Sequence, residues 1–148
     1  MHFFQSILVS MSLATTAFSA PARLMSLAEE WTIESLSRTC NEEDTSCTWT
    51  FSINTHADGV EPTDVVYVVN ATSSAPASRA IGGPSSHGIF TVTSTWSDYF
   101  GIEDAWTTMS VIDYERGVLV YPAYLDRQLA GGEVVEPDQT YVVESIPA

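Results

Sequence analysis

Apolar and polar residues alternate with a period of two along much of this chain, in short runs separated by turn-forming residues. From Cys47 the run CTWTFSINT puts Cys47, Trp49, Phe51 and Ile53 on one face and Thr48, Thr50, Ser52 and Asn54 on the other. That is the pattern of a half-buried β-strand. Trp31 and Ile33 open a similar run over Trp31 to Thr39. The pair predicts a β-hairpin whose short acidic loop is bracketed by the only two cysteines of the chain, Cys40 and Cys47.

Further along, His56 to Asp64 carries Asp58-Gly59 and Pro62 and reads as a turn. Val65 to Val69 (VVYVV) is continuously apolar and mostly β-branched, which predicts a central strand buried on both faces. Asn70 to Ser86, rich in Ser, Ala, Gly and Pro, predicts a long surface loop broken at Gly82-Gly83-Pro84. Gly88 to Trp96 alternates again, with Phe90, Val92 and Trp96 on one face, and Ser97 to Ala105 (SDYFGIEDA) is a polar-aromatic connector turning at Gly101.

Trp106 to Asp113 and Val118 to Tyr121 flank a hairpin turn at Tyr114-Glu115-Arg116-Gly117. Pro122 belongs at a sheet edge or strand end, because it cannot donate to a ladder. Ala123 to Gly132 suits a helical turn capped by its glycine pair, and Glu133 to Val135 and Tyr141 to Ile146 complete the strands. Seven to nine short strands with almost no helix give an all-β class. The expected architecture is an antiparallel β-sandwich or small β-barrel with a stapled N-terminal hairpin.

The N-terminal stretch Phe3 to Ala20 is apolar and holds no charged side chain. Its length suits a signal peptide rather than a membrane span. Small residues at −1 and −3 allow cleavage after Ser19 or Ala22, so residues 1–22 are expected to be removed and 23–148 to form one secreted β-domain, with Leu24 to Glu30 a short connector. Secretion places Cys40 and Cys47 in an oxidising compartment, where a disulfide is expected. The metal alternative needs further ligands, and no CxxC or HxxxH cluster supplies them.

Charge then narrows the partners. Nineteen acidic residues face five arginines and no lysine, for a net charge of −14. Such a surface repels phosphate backbones and anionic headgroups, so neither nucleic acid nor membrane is expected as a partner. The acidic loop residues Glu42, Glu43 and Asp44 form a candidate contact tip for a basic partner, although their spacing lacks the pattern of a calcium loop. Asn70-Ala71-Thr72 is a possible N-glycosylation site at Asn70.

Catalytic chemistry finds little footing. Outside the leader, His56 and His87 are the only histidines, both expected in loops. Ser85-Ser86-His87 reads as sequence adjacency rather than a working dyad. Glu103 and Asp104, between Phe100 and Trp106, are the acids best placed beside aromatics. Trp49 follows the core alternation, whereas Trp31 and Trp106 begin strands. Two or three exposed, coplanar tryptophans would make a sugar platform. No cofactor, metal or catalytic residue is expected.

The blocks WTIESLSRTCNEEDTSCTWTFSINTH, FTVTSTWSDYFG, VLVYPAYLDRQLAGGEVV and EPDQTY, in that order, resemble the fungal small secreted hypersensitive response-inducing proteins. The resemblance implies a fungal source, secretion, a β-rich fold and no catalytic site to transfer. It matches Cys40 and Cys47 to the family's hairpin pair. It also implies a second cysteine pair, at positions where this chain has Thr63-Asp64 and Ser86-His87, so the 70–86 segment lacks that staple. The expected function is non-enzymatic: an elicitor-type protein acting by surface recognition of a host or cell-wall component. The alternative is a carbohydrate-binding module for wall glycans.

Overall fold

A computed structural model describes residues 28–147. The expected leader, 1–22, lies outside the described residues, as does most of the connector that follows it. Strands β1 (Glu30–Cys40), β2 (Ser46–Asn54) and β3 (Thr63–Asn70) are followed by a 3-10 turn at Ala77–Arg79, then β4 (Gly82–His87) and β5 (Phe90–Ser97). A second 3-10 turn at Ile102–Asp104 leads to β6 (Trp106–Asp113), β7 (Val118–Val120), β8 (Ala123–Leu125), the one-turn helix α1 (Asp126–Leu129), β9 (Gln139–Val142) and β10 (Glu144–Ser145).

Two antiparallel sheets form a sandwich. One has the order β3-β2-β1-β9; the other runs β10-β7-β6-β5-β4, with β8 also pairing with β6. The alternation read from the sequence decides what lies between them. Trp49, Phe51, Ile53, Val65 and Tyr67 from the first sheet meet Phe90, Val92, Met109, Val111 and Tyr124 from the second. Trp31, fully buried, packs edge-on against Phe90 at 5.2 Å and ties the sheets together at one end. Burying one such side chain is worth about 1.5–3 kcal/mol.

The stapled hairpin is present. β1 and β2 pair with Cys40 opposite Cys47, and the two sulfurs are bonded. A bulge between Glu34 and Ser37 puts Ser35 at a positive φ of 52° and turns Leu36 into the core. The displaced backbone is used: Ser35 N donates to Asp138 Oδ1 at 2.8 Å, and Val135 N donates to Leu36 O at 2.8 Å.

Four expectations need correction. Val65–Val69 is not a central strand: β3 is a sheet edge, and Val66 and Val68 face outward at 60% and 50% exposure while Val65, Tyr67 and Val69 are buried. Among the described residues only β2 pairs with it, so the continuous apolar run hides an ordinary alternation. The 70–86 segment is not an open loop, since it contains a 3-10 turn and β4. Tyr67 Oη donates to Gly83 O at 3.0 Å, and an added Cβ on Gly82 would overlap that phenol, so glycine is what lets β4 approach. Glu133–Val135 forms no strand; its one ladder-like bond is the Val135 contact to the bulge. Tyr141–Ile146 is two strands, because the chain crosses between the sheets at Val143. Together with β8, these changes raise the strand count to ten among the described residues.

Candidate functional site

Trp31 and Phe90, at the upstream ends of β1 and β5, line an open groove of about 800 Å³ at one end of the sandwich. The other end carries the stapled β1–β2 loop and the β5–β6 loop.

The stapled loop holds the acidic tip, and the structure divides its three acids. Glu42 and Glu43 are exposed. Asp44, at a φ of 52°, turns back toward the protein: it accepts hydrogen bonds from Ser78 N at 2.8 Å and from Ser78 Oγ. The backbone joins in, with Ala77 N donating to Asp44 O and Ala71 N to Thr45 O, both at 2.9 Å. Asn41 Oδ1 caps the turn by accepting from Thr45 N and Ser46 N. Asp44 is therefore the anchor of the 70–81 segment, and Glu42 and Glu43 are the acids of the tip that reach fully into solvent. Cys40, Cys47 and Asp44 gather closely enough to suggest a metal cluster, but the sulfurs are bonded to each other and offer no thiolate. Asn70 ends β3 with its side chain exposed, while Thr72 Oγ1 accepts from Ala75 N at 3.1 Å.

The groove at the opposite end has an apolar floor of Trp31, Ile53 and Phe90 and a polar rim of Glu29, His56, Glu61 and Arg116. Glu29 and Arg116 form a two-point ion pair, both bonds 2.7 Å, which holds the Glu29 carboxyl below its ordinary range. Trp31 Nε1 donates to the same carboxylate. Asp113, buried at the inner wall, accepts from Arg116 N and so closes the β6–β7 turn. His56 Nε2 lies 2.7 Å from Thr32 Oγ1.

The Ser85–His87 adjacency proves to be a real contact. Alternate residues of a strand share a face, and Ser85 Oγ lies 2.9 Å from His87 Nε2. Burial holds the His87 imidazole below its ordinary value. Neither this pair nor Thr32–His56 has a carboxylate orienting its ring among the described residues, so both lack the third group that nucleophilic catalysis uses.

The tryptophans do not form a platform. Trp31 and Trp49 are core. Trp96 is half-buried beneath the Arg79 guanidinium, 5.2 Å from its ring centre, and donates its indole N–H to Asp126 Oδ2 at 2.9 Å. Trp106 is covered by Phe100, stacked at 5.5 Å and 27°. What the β5–β6 loop shows to solvent is instead Tyr99, Phe100 and Ile102, at 81%, 71% and 53% exposure. Glu103 is exposed beside them, and Asp104 pairs with Arg127 at 2.8 Å.

A family model described as Effector TSP1 matches residues 32–146, which covers both sheets and both loops. The chain belongs to the Effector TSP1 family. Effector TSP1 of Hypocrea virens (strain Gv29-8 / FGSC 10586) is 41% identical over 151 residues, spanning 99% of this chain and all of that protein. The resemblance seen in the sequence thus holds at the level of a fungal effector family.

Within this chain, Tyr99 and Phe100 are the residues that sequence reasoning passed over. Their signal was present: two adjacent rings in a connector without alternation cannot both turn into a core. Among the described residues no helix is long and apolar enough to cross a membrane.

Proposed function

We propose that this chain is a secreted, non-enzymatic effector that acts by surface recognition of a host or cell-wall component, with elicitation of a hypersensitive-type response as its readout in plant tissue. The observation that carries the proposal is the match to the Effector TSP1 family along almost the whole described domain. Three features support it. Phe3 to Ala20 has the make-up of a signal peptide. The Cys40–Cys47 disulfide suits an oxidising compartment. Among the described residues neither hydroxyl–histidine pair has a carboxylate orienting its ring.

Infiltration of purified 23–148 into leaves tests the reading. Local necrosis or an immune output at micromolar dose is expected; tissue indistinguishable from buffer controls at that dose overturns the eliciting role. A second reading, binding to wall glycans, draws on the accessible rings of Tyr99 and Phe100 rather than on tryptophans. Retention on chitin, cellulose or β-glucan would support it, and free passage over all three would remove it.

A further inference from the structure

The β5–β6 loop is a rigid mount for exposed apolar groups. Tyr99 packs edge-on against Phe100 at 5.0 Å, Phe100 stacks on Trp106, and Trp106 is fixed by its indole N–H donating to Thr108 Oγ1 at 3.1 Å. The backbone beneath them is closed by Gly101 N to Asp98 O at 2.8 Å and Asp126 N to Ala105 O at 2.9 Å. Stacking on Trp106 restricts Phe100 before any partner arrives, so less of its side-chain entropy remains to be lost on binding. Large aromatic side chains held in this way are the usual anchors of protein interfaces.

The rim around the rings selects the charge of the partner. Asp98, Glu103 and Asp104 are exposed neighbours of these rings in the chain, and among the described residues only Asp104 has a cationic partner, Arg127. A negative ring face and a neighbouring carboxylate both attract a guanidinium or ammonium group. The net charge of −14 opposes an anionic lipid surface. A neutral sugar could stack on the rings and donate to the carboxylates, but it gains nothing from their net charge. An arginine side chain gains from the rings, the carboxylates and the −14 field together.

We propose that Tyr99, Phe100 and Ile102, rimmed by Asp98 and Glu103, form the docking surface for a polypeptide partner that presents arginine or lysine side chains. The proposal rests on the recognition reading above and names the class of partner and the place where it docks.

The test is fluorescence anisotropy with a labelled peptide of Arg-Gly-Ser repeats, against the same peptide carrying uncharged citrulline for arginine, at physiological ionic strength. The arginine peptide should bind and the citrulline peptide should not. Combined Tyr99→Ala and Phe100→Ala changes should weaken binding by about tenfold or more. Phe100→Leu keeps an apolar side chain over Trp106 and guards against a folding defect; it should weaken binding by several-fold through loss of the aromatic face. Glu42→Gln with Glu43→Gln removes two exposed charges at the stapled tip and should leave binding within about twofold.

Failure of the arginine peptide to bind, equal binding of the citrulline peptide, or equal loss in the stapled-tip variant would each overturn the proposal. So would retention on β-glucan abolished by the ring variants in a protein that ignores the arginine peptide. Leaf infiltration separates the two levels. An active wild-type protein with no peptide binding refutes the docking surface alone; peptide binding without any leaf response refutes the eliciting role alone.

Discussion

The stapled β1–β2 loop and the β5–β6 loop sit at the same end of the sandwich, and both are acidic. They spend their carboxylates differently. The stapled loop turns Asp44 inward to hold Ser78 and leaves only Glu42 and Glu43 to solvent. The β5–β6 loop uses one acid in an exposed ion pair and raises two aromatic rings clear of the surface. A carboxylate-rich tip held by a disulfide looks like a contact site, yet its best-placed acid is a structural acceptor. The less conspicuous loop carries the free apolar surface. Composition tells which groups a loop owns; backbone geometry decides which of them are free.

The contrast can be broken first at the staple. Replacing Cys40 and Cys47 with serine releases an eight-residue loop and should cost about 2–3 kcal/mol in chemical denaturation. Because Asp44 depends on that loop, protease cleavage within 70–81 should accelerate in parallel. An unchanged cleavage rate would show that the loop keeps its shape without the bond. Asp44→Ala comes next. It strands the Ser78 donors and should cost about 1–3 kcal/mol, whereas Glu42→Gln with Glu43→Gln should stay within about 0.5 kcal/mol. Equal effects would erase the division of labour among the three acids.

The other loop should behave in the opposite way. Phe100→Ala removes a ring stacked on Trp106 and should cost only about 0.5–1.5 kcal/mol, while weakening recognition far more than any change at the tip. A stability loss as large as that of the disulfide variant would mark Phe100 as a core residue and not a presented one.

The smallest effect belongs to a region outside both loops. Burial depresses the His87 pKa below the ordinary 6.5, so the unfolded chain takes up the proton first as pH falls. Its contribution is fully present above 6.5 and is lost as pH drops through the lower folded-state value. A stability–pH curve should show a shallow decline there, which His87→Gln flattens. The exposed Glu29–Arg116 pair works in the same direction at lower pH: the Glu29 contribution is present above the ordinary 4.5 and fades as pH falls through its depressed folded value. Solvent screening keeps it to a few tenths of a kcal/mol.

Much of the fold was legible because a buried face has to repeat every second residue. Cys47, Trp49, Phe51 and Ile53 all point inward as their spacing requires. What the spacing cannot express is which strands have neighbours, and this is why Val66 and Val68, apolar but on an outer face at an edge, read as core. β4 was hidden for a related reason. Gly82-Gly83-Pro84 carries no alternation, and the strand exists because small residues let it approach Tyr67 and Ser94. The anchoring role of Asp44 depends on Ser78, thirty-four residues away, a distance over which local pattern is silent. The aromatic apex lay within reach, since adjacent rings in a non-periodic stretch leave one or both without a core to enter.

The Asp44 anchor also bears on how such a protein diversifies. Residues 77 and 78 are held by a carboxylate and a carbonyl that belong to the hairpin, so the exposed tip of the connector before them does not have to position β4. Between Ala71, whose N–H is held by Thr45 O, and Ala75, which packs against the core, only the exposed residues Thr72 to Ser74 are free to change without moving either sheet. Sequence should therefore drift fastest at those three positions, while Asp44, Ser78 and Gly82 stay put.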